Sequence, residues 1–294
     1  MRTAIITDSN SGIFEQEGQR MGVFVIPLPV ILGGSTYYEG KDITHDRFFR
    51  YLSEEKTVST SQPSITDVLQ TWDAVLESGY DEAVYIPMSS GLSGACQTAQ
   101  ALAQDYEGKI TVVDNHRISV TLRHAVQDAV FLREQGCSAK EIQEAFEKTA
   151  YDSIVYVGVG TLEYLKASGR VTSAGAAIGA VLNIKPLLVI EGERLDAYAK
   201  ERGTKACQRR LIQAMQDQVQ RLSEDGSALQ IGVAGSFSDP AKTSEWEAMA
   251  KEAFPEYNVQ YDPLTFSIAC HVGPDAFGMG ISKKISSPKG ENSL

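Results

Sequence analysis

The stretch of residues 83–99 constrains the fold of this chain more than any other part of the sequence. Its apolar residues 83–86 predict a buried strand, and helical residues begin at Cys96. The turn between them, SSGLSGA at residues 89–95, is rich in hydroxyl groups and glycine. A helix N-terminus carries about half a positive charge and several N–H groups without partners inside the helix. We therefore expect Ser93 and its neighbours to hold the head of a small anionic ligand.

Predicted strands and helices alternate through the first half of the chain. Three of the predicted strands end in polar pairs, which are Asp8-Ser9, Ser89-Ser90 and Asp114-Asn115. The alternation indicates an α/β fold with a doubly wound, mostly parallel sheet. Because ligands of such sheets bind outside the carboxyl ends of the strands, the three pairs predict one site at that edge.

The character of the sequence changes after Asp152. A predicted strand at residues 154–159 is followed by an alanine- and glycine-rich segment, a hairpin, and further strands and helices. We expect two α/β domains with the ligand between them. Residues 1–152 would carry the anion site, and residues 153–294 would form a mixed sheet with helices.

The second predicted domain contains a run of small residues. Its members are Ala174, Gly175, Ala176, Ala177, Gly179 and Ala180. Side chains of this size cannot fill a core by themselves, so the run predicts a channel for a slender ligand. Close packing of a helix against its neighbours is the alternative interpretation.

Charge and cysteine content exclude several classes of function. A net charge of -11 disfavours nucleic acid and stable anchoring on an anionic membrane surface, both of which need clustered lysine and arginine. The four cysteines lie far apart, which predicts a reduced, cytoplasmic protein with neither disulfides nor a metal site. The sequence also predicts no signal peptide and no membrane span.

Ser93 allows two enzymatic interpretations besides anion binding. In a serine hydrolase it would be the nucleophile, with His271 and Asp8 completing a triad. Ala95, however, stands where the G-x-S-x-G turn of such enzymes has its second glycine. A phosphate-binding loop is disfavoured because no lysine follows the glycines. A turn that only caps its helix is the structural alternative.

Other segments supply further candidates. Thr60 and Ser61 precede a predicted helix, where they would either cap that helix or bind a carboxylate. His271 lies between a predicted strand and a Gly-Pro turn, and a structural role and a ligand role are equally open. Arg170 is expected on an exposed, solvated loop. A predicted helix with a basic face around Arg209 leaves open a protein-interaction module.

Eight motifs occur in an order that resembles the DegV family, the bacterial fatty-acid-binding proteins that serve as carrier subunits of fatty acid kinase. The motifs are ITDSNSGI (6–13), VIPLPV (25–30), YYEGKDI (37–43), TSQPS (60–64), SSGLSGA (89–95), SGRV (168–171), NIKPLL (183–188) and HVGPDAFG (271–278). Each short motif is weak alone, but their ordered combination over nearly the whole chain is specific.

The resemblance implies a non-catalytic carrier that needs no cofactor and binds a long-chain fatty acid such as palmitate or oleate between two α/β domains. The residues that would hold the carboxylate are Thr60, Ser61, Ser93, Gly94 and His271. The acyl chain would occupy an apolar tunnel in the second domain. A separate ATP-dependent kinase subunit would dock near Arg170 and phosphorylate the carboxylate. We expect neutral donors, rather than an arginine clamp, to hold a carboxylate that must still react.

Two residues depart from the family pattern. Ala95 replaces the threonine that usually follows SSGLSG, and Asp275 replaces the glycine that usually follows HxGP. Asp275 would place a carboxylate near His271, where it would either orient the imidazole or weaken anion binding. A serine hydrolase of acyl esters that uses Ser93 and His271 is the alternative function.

Overall fold

A computed structural model of the chain describes residues 1–54, 57–177 and 184–286. The strands in this part are β1 Thr3–Asp8, β2 Val23–Ile26, β3 Pro29–Leu32, β4 Ser35–Tyr38, β5 Val58–Thr60, β6 Glu82–Ile86, β7 Ile110–Val112, β8 Ser153–Gly158, β9 Ile184–Ile190, β10 Asp196–Arg202, β11 Leu229–Gly235, β12 Gln260–Pro263 and β13 Phe277–Lys283. The helices are α1 Glu15–Met21, α2 His45–Ser53, α3 Ile65–Glu77, α4 Ala95–Ala103, α5 Val120–Glu134, α6 Ala139–Lys148, α7 Glu163–Ser168, α8 Ser173–Ala177, α9 Thr204–Ser223, α10 Pro240–Ala253 and α11 Phe266–Val272.

A four-stranded parallel sheet, in the order β2-β1-β6-β7, forms the first layer of the fold. Ile5 lies between Val23 of β2 and Val84 of β6. Successive residues of a strand point to opposite faces, so Ile5 packs with α5 and α6, whereas Ile6 packs with α3 and α4 around Trp72. The parallel sheet is therefore covered by helices on both faces, as predicted from the alternation.

A six-stranded mixed sheet, in the order β10-β9-β8-β13-β11-β12, forms the second layer. β11 and β12 run parallel, and the other neighbouring pairs are antiparallel. On one face, Tyr156 packs in a cluster with Leu211 of α9 and Trp246 of α10. On the other face, Val157 belongs to a cluster that includes Leu92 from the first half of the chain. That second face is turned toward the parallel sheet.

Helix α5 lies between the two large sheets and contacts both. It packs on the parallel sheet through Leu122 and on the mixed sheet through Val120. A Cβ added to Gly280 of β13 would lie 2.6 Å from Val120 Cγ2, which is closer than real contacts allow. Glycine at this position permits the close approach of the helix to the sheet.

A small antiparallel sheet, β4-β3-β5, was not predicted as a separate unit. Residues 23–32 supply a strand to each of two sheets, because the prolines Pro27 and Pro29 interrupt the backbone donors between them. Helix α11, from late in the chain, packs on the small sheet and α2. The rings of Phe48 and Phe266 stack there, 4.2 Å apart and 6° from parallel. This packing crosses the predicted domain boundary at residue 152, and the division into two domains stays a prediction.

Candidate functional site

A cavity of about 940 Å³, including its mouth, lies between the two large sheets. Most of the lining is apolar, with side chains from both halves of the chain. Examples are Leu28, Met88, Val120, Val155, Val157 and Ile190. Such a lining suits the hydrocarbon part of a ligand.

Polar side chains that line this cavity meet at what we call its polar end, formed by Thr60, Ser61, Ser93, Arg170 and His271. Thr60 Oγ1 lies 2.8 Å from His271 Nε2. Ser93 Oγ accepts the N–H of Ala95 at 3.2 Å, so the hydroxyl hydrogen is available to another acceptor. Candidate residues from three motifs that lie far apart in the sequence are therefore close together in the structure.

The remaining predicted carboxylate residue, Gly94, does not line the cavity. It is the N-cap residue of α4 and lines an adjoining open pocket together with Ser93. The helix does begin at the predicted serine- and glycine-rich turn. The turn is closed by backbone bonds, because the N–H groups of Leu92 and Ser93 both donate to the carbonyl oxygen of Ser89.

The interpretation of Thr60 and Ser61 as helix caps is wrong. Thr60 is the last residue of β5, which pairs with β3, and the exposed Ser61 donates its hydroxyl to the carbonyl oxygen of Gln62 at 3.1 Å. The cap of α3 is Ser64, whose Oγ accepts the N–H of Asp67 at 3.0 Å. The hydroxyl of Thr60 is thereby directed to the cavity rather than to a helix end.

His271 lies on α11, so the prediction of a strand before it is wrong. Phe266, Ala269 and Cys270 have helical spacing and pack on the small sheet, which turns the next position of the helix to the cavity. Burial, and then the positive charge of Arg170, lower the pKa of His271 to about 4. The imidazole is thus neutral at pH 7. Its Nδ1 atom is buried and has no hydrogen-bond partner among the described residues.

Arg170 is half-buried at the cavity wall instead of solvated on a loop. Its Nε donates to the carbonyl oxygen of Leu92 at 3.3 Å, and its Nη1 donates to the carbonyl oxygen of Ser168. These bonds hold the guanidinium beside Ser93. One cation therefore lines the polar end beside the neutral donors, and the expectation that neutral donors rather than an arginine clamp hold the carboxylate stays a prediction.

Two residues that the sequence analysis missed hold α11 in place. A carboxylate oxygen of Glu39 accepts the N–H of Phe266 at 2.6 Å, and burial raises the pKa of Glu39 to about 8. Asn10 Oδ1 accepts the hydroxyl of Ser267 at 2.5 Å. Asn10 and Glu39 lie within the first and third of the family motifs, ITDSNSGI and YYEGKDI. Their place in these motifs is the sequence signal that could have identified them. Sequence periodicity does not reveal a partner that lies more than 200 residues away.

The proposed catalytic triad is absent from the described structure. Asp8 is buried, and its two carboxylate oxygens accept the N–H groups of Asn10 and Met88 at 2.9 Å each. Burial raises the pKa of Asp8 to about 6. His271 bonds to Thr60, and no bond joins it to Ser93 or to Asp8. The role of Asp8 is to tie together the loops that follow β1 and β6.

Asp275, the second departure from the family pattern, does not act on His271. Both of its carboxylate oxygens lie 2.8 Å from Lys242 Nζ, in an ion pair that is half-exposed. Its backbone has a φ of 56°, in the left-handed region that favours glycine. At Ala95, the first departure from the family pattern, the backbone N–H donates to Ser93 Oγ.

The run of small residues does not form the cavity wall in the part that the structure describes. Residues 174–177 belong to α8 and are not among the cavity-lining residues, whereas Gly179 and Ala180 lie outside the described residues. A Cβ on Gly175 would lie 2.6 Å from Val171 Cγ2. Close packing, the alternative interpretation, therefore holds at Gly175.

Across residues 1–54, 57–177 and 184–286, no group of three or more histidine, cysteine or acidic side chains could hold a metal ion. No helix in these ranges is long and apolar enough to cross a membrane. All four cysteines are buried, and none of them forms a disulfide within the described ranges.

The fold and the site define a mixed α/β protein with a cavity between two sheets, apolar along most of its lining and polar at one end. The chain belongs to the DegV family: the family model described as "Uncharacterised protein, DegV family" matches residues 2–284. A DegV domain-containing protein of Deinococcus radiodurans is 30% identical over 283 residues, covering 96% of this chain and 98% of the relative.

Two solved structures share the fold over almost their entire length. A DegV family protein from Thermus thermophilus, described by its fatty acid binding, superposes with a TM-score of 0.86 at 29% identity, covering 96% of this chain and 100% of that one. The fatty acid binding DegV family protein SAG1342 from Streptococcus agalactiae superposes with a TM-score of 0.83 at 25% identity, covering 97% and 99% of the two chains.

Proposed function

We propose that this protein binds a long-chain fatty acid, with the carboxylate at the polar end and the acyl chain along the apolar lining of the cavity. The observation that carries the proposal is the meeting of Thr60, Ser93 and His271 at the polar end of a cavity whose lining is mostly apolar. The fatty acid binding described for the relatives from Thermus thermophilus and Streptococcus agalactiae supports the same ligand class.

The acyl chain supplies most of the binding free energy. Burying about fourteen methylene groups at ~0.8 kcal/mol each gives roughly 11 kcal/mol of gross stabilisation. The loss of translational and rotational freedom on association takes at least ~4 kcal/mol of this gain. The apolar lining therefore suffices for tight binding, and the polar end sets the orientation of the ligand.

The polar end makes burial of the carboxylate tolerable. An ionised carboxylate without partners is costly to bury, whereas hydrogen bonds to the charged group are among the stronger ones in proteins. Ser93 supplies one donor, because its Oγ accepts an N–H and its hydrogen makes no bond within the described ranges. Thr60 and the neutral His271 share one hydrogen bond, so the pair offers one further donor, from either the Thr60 hydroxyl or Nδ1 of His271. Ser61 would supply another by turning its hydroxyl away from the carbonyl oxygen of Gln62. Arg170 supplies a positive charge on the same wall.

We further propose that the protein is a carrier, and that a separate ATP-dependent kinase subunit docks beside Arg170 and phosphorylates the bound carboxylate. The protein itself would contribute binding rather than catalysis, and would act in the cytoplasm. The family resemblance and the position of Arg170 at the edge of the polar end support this assignment. With the kinase subunit from the same genome, we expect ATP-dependent consumption of palmitate only when both proteins are present.

Lipid extraction of the purified protein followed by mass spectrometry tests the ligand class. We expect a bound acid of sixteen or eighteen carbons. Ser93→Ala is expected to weaken palmitate binding about tenfold, the effect of one hydrogen bond to a charged group. Ser244→Ala is the matched control, because Ser244 is exposed on α10 and donates to the carbonyl oxygen of Pro240.

Two outcomes would contradict the proposal. One is a protein that carries no acid after purification and also fails to bind added oleate. The other is covalent labelling of Ser93 by a fluorophosphonate, which requires an activated nucleophile and would support the serine hydrolase.

A further inference from the structure

A second, open pocket of about 550 Å³ adjoins the polar end, and we call it the arginine pocket. It is lined by the turn of residues 90–94, by residues 168–170 and by Arg194. Ser93 and Arg170 line both this pocket and the cavity, so the two spaces share a wall. A group attached to the head of a ligand in the cavity would therefore reach the arginine pocket.

The wall of the arginine pocket carries donors that are free to bind an anion. Arg194 is exposed and makes neither a hydrogen bond nor an ion pair within the described ranges. Arg170 uses Nε and Nη1 for carbonyl oxygens, and its Nη2 makes no bond to any described residue. The N–H of Gly94, at the start of the nine-residue helix α4, also has no acceptor in that part of the chain.

Two acidic side chains near the arginine pocket, Glu193 and Asp114, lie close to His116. Glu193 lies against Gly91, and its Oε1 is 3.6 Å from His116 Nδ1. Asp114 accepts the N–H of Ser90 at 3.2 Å and lies 3.8 Å from His116 Nε2. No acidic side chain is among the described residues that line the arginine pocket. The local charge of the pocket is therefore positive in a chain whose net charge is -11.

We propose that the arginine pocket is a phosphate subsite. A phosphate monoester carries up to two negative charges and three terminal oxygens, which match two guanidinium groups and a backbone N–H better than a carboxylate does. The phosphate would belong either to the phosphorylated head of a lipid whose chain fills the cavity, or to free phosphate beside a bound fatty acid. The position of the lipid in this proposal rests on the proposed function.

Two lipids that share a sixteen-carbon chain and differ in the head group test the subsite. Palmitate and hexadecyl phosphate are titrated calorimetrically into wild type, Arg194→Gln and Arg209→Gln. Arg209, an exposed guanidinium on α9 that lines neither space, is the matched control. We expect Arg194→Gln to weaken hexadecyl phosphate about tenfold, as for one charge-assisted hydrogen bond, and to change palmitate affinity less than twofold. Arg209→Gln should change neither.

A second titration, of inorganic phosphate into the palmitate-loaded protein followed by ³¹P NMR, separates the two sources. Saturable binding that disappears in Arg194→Gln supports the subsite and assigns it to free phosphate. Selective loss of hexadecyl phosphate without such binding supports the subsite and assigns it to a lipid head. The proposal is overturned if Arg194→Gln affects none of the three ligands, or weakens both lipids equally.

Failure of the fatty-acid proposal gives a different pattern. Wild-type protein would then bind no palmitate, and Arg194-dependent binding of inorganic phosphate to the protein without lipid would still support the subsite. If the protein binds palmitate but Arg194→Gln does not change the binding of either phosphate ligand, the fatty-acid proposal stands. Only the phosphate subsite is then rejected.

Discussion

Replacing Thr60 with valine removes one hydroxyl from the polar end and keeps the shape of the side chain. In the structure this hydroxyl lies 2.8 Å from His271 Nε2, and the other ring nitrogen is buried without a partner among the described residues. Thr60→Val therefore leaves the imidazole with neither nitrogen bonded in the ligand-free protein. A buried polar group that loses its partner costs about 1–3 kcal/mol, so we expect the free energy of unfolding to fall by that amount.

The same substitution should weaken fatty acid binding. The carboxylate loses one donor, and a hydrogen bond to a charged group contributes about 1.5–3 kcal/mol, which corresponds to roughly a 10- to 150-fold change in the dissociation constant. Palmitate titration calorimetry measures this change, and urea denaturation without ligand measures the stability.

Thr71→Val is the control for these measurements. Thr71 lies on α3, away from the cavity, and its hydroxyl donates to the carbonyl oxygen of Asp67 at 2.8 Å. The Thr71→Val protein should have a lower free energy of unfolding than wild type and an unchanged affinity for palmitate. If Thr60→Val binds palmitate as tightly as wild type, the carboxylate does not lie at the polar end and the reasoning fails.

Two further predictions concern residues outside the carboxylate donors. Glu39 has a pKa of about 8 in the folded protein against 4.5 as its ordinary value, so the folded state retains a proton that the unfolded state loses. The free energy of unfolding should therefore fall as the pH rises from about 4.5 to about 8. Glu39→Gln, whose amide oxygen can still accept the N–H of Phe266, should flatten this dependence in urea denaturation at pH 5, 6.5 and 8; an unchanged slope would contradict the assignment. Asp275→Gly relieves a left-handed backbone and loses a half-exposed ion pair, effects of about 1 kcal/mol each that oppose one another. We expect stability within about 1 kcal/mol of wild type by thermal denaturation and unchanged palmitate affinity by calorimetry, and a large change in affinity would show that Asp275 acts on the site after all.

The parts of the fold that local chemistry specifies were predictable. The strand, turn and helix around Ser93 follow from an apolar run, hydroxyls and glycines. The capping box at the start of α6, in which Ser138 and Glu141 bond to each other's backbone, follows from their spacing. Parallel strands place their carboxyl ends at one edge, so the site was expected where those ends lie.

Helix α11 shows where local patterns are insufficient. Its seven residues are too few to give a clear periodicity, and its conformation depends on packing against the small sheet and on the bond from Phe266 to Glu39. The small sheet itself is made of strands of three or four residues. Elements this short are stable only through tertiary contacts, and their sequences do not predict them well.

The sequence by itself determined which side chains are the candidates for the site: the hydroxyls, the imidazole and the guanidinium, each within its own motif. The tertiary structure decided that Thr60 and His271, 211 residues apart, share a hydrogen bond, and that Arg170 lies on the wall of the cavity. The reason is that a local pattern specifies a helix or strand within one segment. A cavity, by contrast, is the space left where several segments fail to meet, and its position depends on how all of them pack.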